Sequence, residues 1–131
     1  MPGDNASTVA VGGAVQFPQN GPINAGSTIS RLTASTFNLG AIGTYYISFQ
    51  VSISEAGQLV IFLGGAEQAY TVVGRATGTS QIVGTAIITT SVINTVLSIH
   101  NPAANSTALT ITPLAGGADP VSAHLVILRL L

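Results

Sequence analysis

Apolar and polar side chains alternate along this chain with a period of two residues, and the cleanest run follows Gly43. Tyr45, Ile47, Phe49, Val51 and Ile53 share one side, while Tyr46, Ser48, Gln50, Ser52 and Ser54 share the other. Successive side chains of a strand point to opposite faces, so this run predicts an antiparallel strand with one buried face and one hydroxylated face. Glu55-Ala56-Gly57 turns the chain into Leu59 to Leu63, which does not alternate and is expected to be covered on both faces.

The same reading extends to both ends of the chain. Thr8 to Val11 and Ala14 to Phe17 read as two short strands or one bulged strand, broken by Gly12-Gly13. Pro18 to Pro22 is a loop, and Ser27 to Leu39 holds at least one strand, clearest at Thr36 to Leu39. Further strands are expected at Ala69 to Val73, Gln81 to Thr90, Val92 to His100, Ala108 to Thr112 and Val121 to Leu131. Glycine, proline and asparagine clusters separate them, and no window shows a helical stripe. About nine or ten short strands at this spacing predict an all-β, antiparallel β-sandwich of the jelly-roll kind. In the last strand Val121, Ala123, Leu125, Ile127 and Leu131 lie on one parity, with Arg129 the exception, and His124, Val126, Leu128 and Leu130 on the other. Both faces are therefore apolar. One is expected to meet the core and the other a neighbouring chain.

Charge sharpens that expectation. Only seven of 131 residues are charged, three basic and four acidic, against 47% hydrophobic residues, and lysine is absent. Mixed charge is what ordinarily keeps a lone domain dispersed. This chain must dissolve through hydroxyls and amides, or cover its surface with copies of itself. The length suits one domain, with residues 1–14 as an N-terminal segment, the end of a stalk or linker, and residues 15–131 as the folded unit. There is no cysteine, so neither disulfides nor thiolate metal sites are available. A net charge of −1 without a basic cluster offers nucleic acid and anionic membranes no grip. Leu59 to Leu63 falls far short of the ~20 apolar residues a spanning helix needs, and Met1 to Asp4 carries no secretory pattern.

Catalytic chemistry has little to work with. His100 and His124 lie on different strands without a carboxylate cluster, so no metal site or cofactor is expected, and His124 reads as a packed or interface residue. A Ser/His/Asp set drawn from Asp119, His124 and any serine has no supporting motif. Glu55 and Glu67 flank one strand and read as a structural cross-hairpin pair, and Asp119 alone is a weak calcium ligand. The glycine pairs open no helix, so phosphate binding is unsupported. Sequons at Asn5 and Asn105 are expected by chance in so Ser/Thr-rich a chain. The reading is non-enzymatic.

Phe37-Asn38-Leu39, then Gly43-Thr44-Tyr45-Tyr46-Ile47-Ser48-Phe49, and an apolar closing strand from His124 to Leu131 resemble the tumour-necrosis-factor/complement-type jelly roll. The low charge and the Thr/Val/Ile/Gly-rich texture are most similar to its bacterial branch, the C-terminal domains of collagen-like (BclA-type) spore-surface glycoproteins. The resemblance runs from about Val15 to Leu131. It implies a homotrimer that caps a collagen-like stalk as the outer tip of a filament, on the exosporium of a spore or another extracellular surface. Pro2-Gly3-Asp4 would be the trace of that stalk. The expected trimer interface comprises Tyr45 or Tyr46, Phe49, Leu125, Ile127, Leu128 and Leu130. The alternative is an adhesin or lectin-like tip that binds surface proteins or glycans through loops carrying Asn20, Asn24, Arg75, Asn101 and Asn105.

Overall fold

A computed structural model describes residues 8–78, 80–112, 114–119 and 123–131, and these fold as an antiparallel jelly-roll β-sandwich. Among them eleven strands follow one another: β1 (Thr8–Val9), β2 (Ile29–Arg31), β3 (Phe37–Leu39), β4 (Thr44–Ile53), β5 (Gly57–Leu63), β6 (Ala66–Glu67), β7 (Val73–Arg75), β8 (Ser80–Thr89), β9 (Thr95–His100), β10 (Leu109–Thr110) and β11 (Ala123–Arg129).

One sheet has the order β11-β4-β8, and the other β2-β3-β9-β5-β6 with β7 also paired to β5. The sheet neighbours are mostly distant in sequence, which is the wiring of a jelly roll rather than a meander. β10 continues the lane of β11 alongside β4. Ile53 bridges Ile111, and Thr112 N–H donates to the Ser52 carbonyl at 3.0 Å. β1 then adds to the far side of β10.

The alternation in β4 is realised as expected. Tyr45, Ile47, Phe49, Val51 and Ile53 are all 0–1% exposed and meet Leu39, Leu59, Ile61, Leu97 and Ile99 from the opposite sheet. Burying each such side chain contributes roughly 1.5–3 kcal/mol, which is what holds two sheets of so few charges together. Leu59, Val60 and Ile61 are each 0% exposed, so β5 is covered on both faces at its centre.

Elsewhere the local chemistry redirects the chain. Gly64 and Gly65 have φ of 59° and 81°, the pair of positive values that a tight two-residue hairpin matching the strand twist requires. That turn creates β6, a strand with no alternation to announce it. Ala69 to Thr71, expected as strand, forms a 3-10 turn instead. Thr71 fixes it: its hydroxyl donates to the Gln68 carbonyl at 2.7 Å and accepts from Ile61 N–H at 2.9 Å. Val92 to Asn94 also leave the strand, with Asn94 at φ 56° just before β9. The N-terminal boundary shifts as well. Val9 is 3% exposed and Ala14 bridges His100, so residues 8–14 are part of the sandwich rather than a linker. Met1 to Ser7, with the expected stalk trace at Pro2 to Asp4 and the Asn5 sequon, lie outside the described residues, as does Val121.

Candidate assembly surface

The register of the β11-β4-β8 sheet decides which side chains reach solvent. Leu128 lies opposite Tyr46, which lies opposite Ile87; Val126, Ser48 and Thr85 form the next row, and His124, Gln50 and Val83 the third. All of these belong to the parity that faces away from the core. Leu128 is 50% exposed, Val126 47%, Ile87 59% and Val83 55%. The sheet therefore presents three rows of apolar side chains interleaved with Ser48, Thr85 and Gln50 on an open face. Leu130 and Leu131, 50% and 81% exposed, extend it past the end of β11.

The seven residues expected at an interface divide between the two faces. Tyr46, Leu128 and Leu130 are on or beside the open face. Tyr45 and Phe49 are core residues at 0% and 1% exposure, and Leu125 and Ile127 pack against that core from the same parity. Tyr45 and Phe49 are removed from the contact surface by burial, while Leu125 and Ile127, paired with Phe49 and Ile47, share the inner side of the sheet but stay partly exposed at its edge. The Tyr45 hydroxyl confirms its inward role by donating to the Ala41 carbonyl at 2.5 Å. Arg129 shares that inner parity but stands at the sheet end, where its Nη2 donates to the Ile42 carbonyl at 3.1 Å. A Cβ at Gly43 would meet the Leu131 carbonyl and, at 3.0 Å, Arg129 Nε, so this close approach of the chain end needs a glycine.

Sequence reasoning missed Val83, Ile87 and Val126. The signal existed in β8, where Gln81, Val83, Thr85, Ile87 and Thr89 form one parity. It was outweighed because the other parity, with Ile82, Ala86 and Ile88, is the more apolar and takes the core.

The expected ligand residues are held in different ways. Asn101 is 0% exposed, and its amide Nδ2 donates to the carbonyls of Val9 at 3.2 Å and Thr107 at 3.0 Å. Asn105 leans on it, Nδ2 to Asn101 Oδ1 at 3.4 Å. Arg75 holds its own end of the sandwich through the Glu55 and Thr77 carbonyls. Asn20 accepts from Arg31 Nε at 2.6 Å, and Asn24 lies in the exposed loop that follows. Asn101 is thus spent on internal bonds and is withdrawn as a ligand contact.

Charged and polar groups behave similarly. Glu55 does not pair with Glu67. Its carboxylate accepts Thr110 N–H and the Thr110 hydroxyl, both at 2.7 Å. The hydroxyl, then the backbone N–H, holds its pKa below the ordinary 4.5 against a small opposing effect of burial. His100 Nδ1 lies 3.0 Å from the Gly12 carbonyl, which can only accept, so Nδ1 carries the proton. Nε2 lies 2.8 Å from the Ser98 hydroxyl, which can serve as either partner, and the Phe62 ring stacks on the imidazole at 3.9 Å. Ser98 is 6% exposed beneath this stack. The arrangement pins the Gly12 turn to β9. Its Ser-x-His spacing, which puts both side chains on one face of a strand, was legible in the sequence. No group of three or more His, Asp or Glu side chains converges among the described residues.

No protein-family model matches this chain, and no curated protein matches it either. The class is therefore defined by its architecture: a jelly-roll sandwich with one sheet face left apolar and open.

Proposed function

We propose that this chain is a non-enzymatic structural module that forms a homotrimer and caps a collagen-like filament on a bacterial spore or cell surface. The observation that carries the reading is the open face of Tyr46, Val83, Ile87, Val126 and Leu128, with Leu130 at its margin. Contiguous apolar surface on a solvated sheet ordinarily marks a contact site. Completing the burial of each half-exposed side chain would contribute about 1 kcal/mol per protomer, before ordering and association costs. A threefold arrangement is a closed one, so the face would be covered without open-ended growth. The stalk and the surface location rest on the resemblance in Phe37 to Leu39, Gly43 to Phe49 and His124 to Leu131.

Light scattering behind size exclusion, repeated after strong dilution, tests the assembly. The expected result is a mass of three chains that survives dilution, and an isolated or insoluble chain for Leu128→Asp. A wild-type monomer overturns the reading. A Leu128→Asp protein that stays a soluble trimer removes Leu128 from the interface.

A further inference from the structure

β11 has β4 on one side and, among the described residues, no strand on the other. The segment from Phe17 to Arg31 stands beside that free edge, and an open groove of about 850 Å³ lies between them. Charge is concentrated there. Among the described residues two of the chain's three arginines, Arg31 and Arg129, line the groove beside His124, and no Asp or Glu does. Neither arginine pairs with an Asp or Glu side chain among the described residues. Arg31 donates to Asn20 Oδ1 and to the carbonyls of Gln19, Thr33 and Ala34, and Arg129 to the carbonyl of Ile42, all uncharged acceptors. A chain of net charge −1 thus keeps one lobe of positive charge along an unpaired strand edge.

We propose that this groove binds an extended acidic peptide segment as an added strand on β11. An unpaired edge offers main-chain donors and acceptors to a second strand, while pockets beside it select alternate side chains. The seven residues of β11 extend over roughly 24 Å at about 3.4 Å per residue, room for a peptide of similar length. Carboxylates at every second position of that peptide would face one side, toward the arginines. An acidic sugar shares the charge but not the geometry. The groove's two phenylalanines, Phe17 and Phe37, are 5% and 8% exposed, and the Phe37 ring already carries the Arg31 guanidinium at 5.0 Å, so no aromatic platform is open for a sugar ring. The groove shares His124 and Leu128 with the open face, so peptide binding is read by anisotropy, apart from the particle mass that tests assembly.

The test uses the full chain and a fluorescein-labelled octapeptide of alternating Glu and Val, followed by fluorescence anisotropy. Saturable binding is expected, weakening as salt rises, with no binding of the Lys/Val counterpart. Arg129→Gln and His124→Glu should each weaken it about tenfold or more, with circular dichroism confirming that both variants fold. A peptide N-methylated at alternate residues should fail, because it cannot complete the ladder. Absence of saturable binding below ~1 mM overturns the proposal, as does equal binding of the N-methylated peptide or undiminished binding by both folded variants. Binding of oligogalacturonate in preference to the peptide assigns the groove to an acidic glycan and overturns it equally.

Discussion

Phe49 and Gly84 face each other across β4 and β8, and the Phe49 ring occupies the space where a side chain at position 84 would begin. The absence of a Cβ at this position of β8 is what lets the Phe49 ring fill the core here. Gly84→Ala is therefore expected to overpack the site and destabilise the fold by about 1–3 kcal/mol, since a rigid ring cannot give way. Phe49→Ala should cost about 3–5 kcal/mol through the cavity it leaves. Thermal or denaturant unfolding reads both, and a neutral Gly84→Ala would show that the sheets separate freely there.

The two parities of β11 give a paired prediction. Leu125 packs against the core, and Leu128 points away from it at 50% exposure. Leu125→Ala should lower stability by about 2 kcal/mol and leave the particle mass unchanged. Leu128→Ser should leave the fold's own packing intact, within about 0.5 kcal/mol for a solvent-facing site, and make the mass fall on dilution. The reverse pattern would exchange the roles of the two faces.

Alternation was enough for β4, because only one of its parities is apolar. It failed for β11, where both parities are apolar and the choice of core face is made by pairing: Leu125 meets Phe49, and Phe49 meets Gly84. Tyr45 and Phe49 were attractive as contact residues because large aromatics suit interfaces, yet the register makes them the centre of the core. Ala69 to Thr71 carried β-favouring composition, but two hydrogen bonds of the Thr71 hydroxyl outweighed propensity in a segment too short to pair. The groove beside β11 was illegible for a different reason. Arg31 and Arg129 are 98 residues apart in sequence and meet only through the sandwich.

Glu55 sets a pH dependence. Hydrogen bonds from the Thr110 hydroxyl and N–H hold its folded pKa below the ordinary value of 4.5. A depressed carboxylate contributes stability above its unfolded pKa and loses it as pH falls through the folded one. Glu55→Gln should therefore be less stable than wild type at neutral pH, by no more than about 1 kcal/mol for so exposed a pair. The two proteins should converge in acid below the folded pKa. A difference that is constant with pH would assign the loss to shape rather than charge.

Asn101 distinguishes a structural amide from a ligand contact. Its Nδ2 binds the carbonyls of Val9 and Thr107, its backbone N–H donates to Gly13 at 2.9 Å, and its carbonyl accepts from Gly12 at 2.8 Å. One residue at the end of β9 thus gathers β1, the Gly12 turn and the approach to β10. Asn101→Ala keeps the backbone bonds and strips the buried Val9 carbonyl and the part-buried Thr107 carbonyl of this donor, at a cost of about 1–3 kcal/mol. Asn101→Asp should cost more, because a buried carboxylate would face the same carbonyls with no hydrogen to give. Asn105→Ala, which removes only the 3.4 Å bond from a less buried position, should cost less than either. Melting temperatures should follow that order, and limited proteolysis should open the chain near residues 10–13 first in the two Asn101 variants. A site evolved for ligands would behave otherwise: Asn101→Ala would melt like wild type, and only binding would be lost.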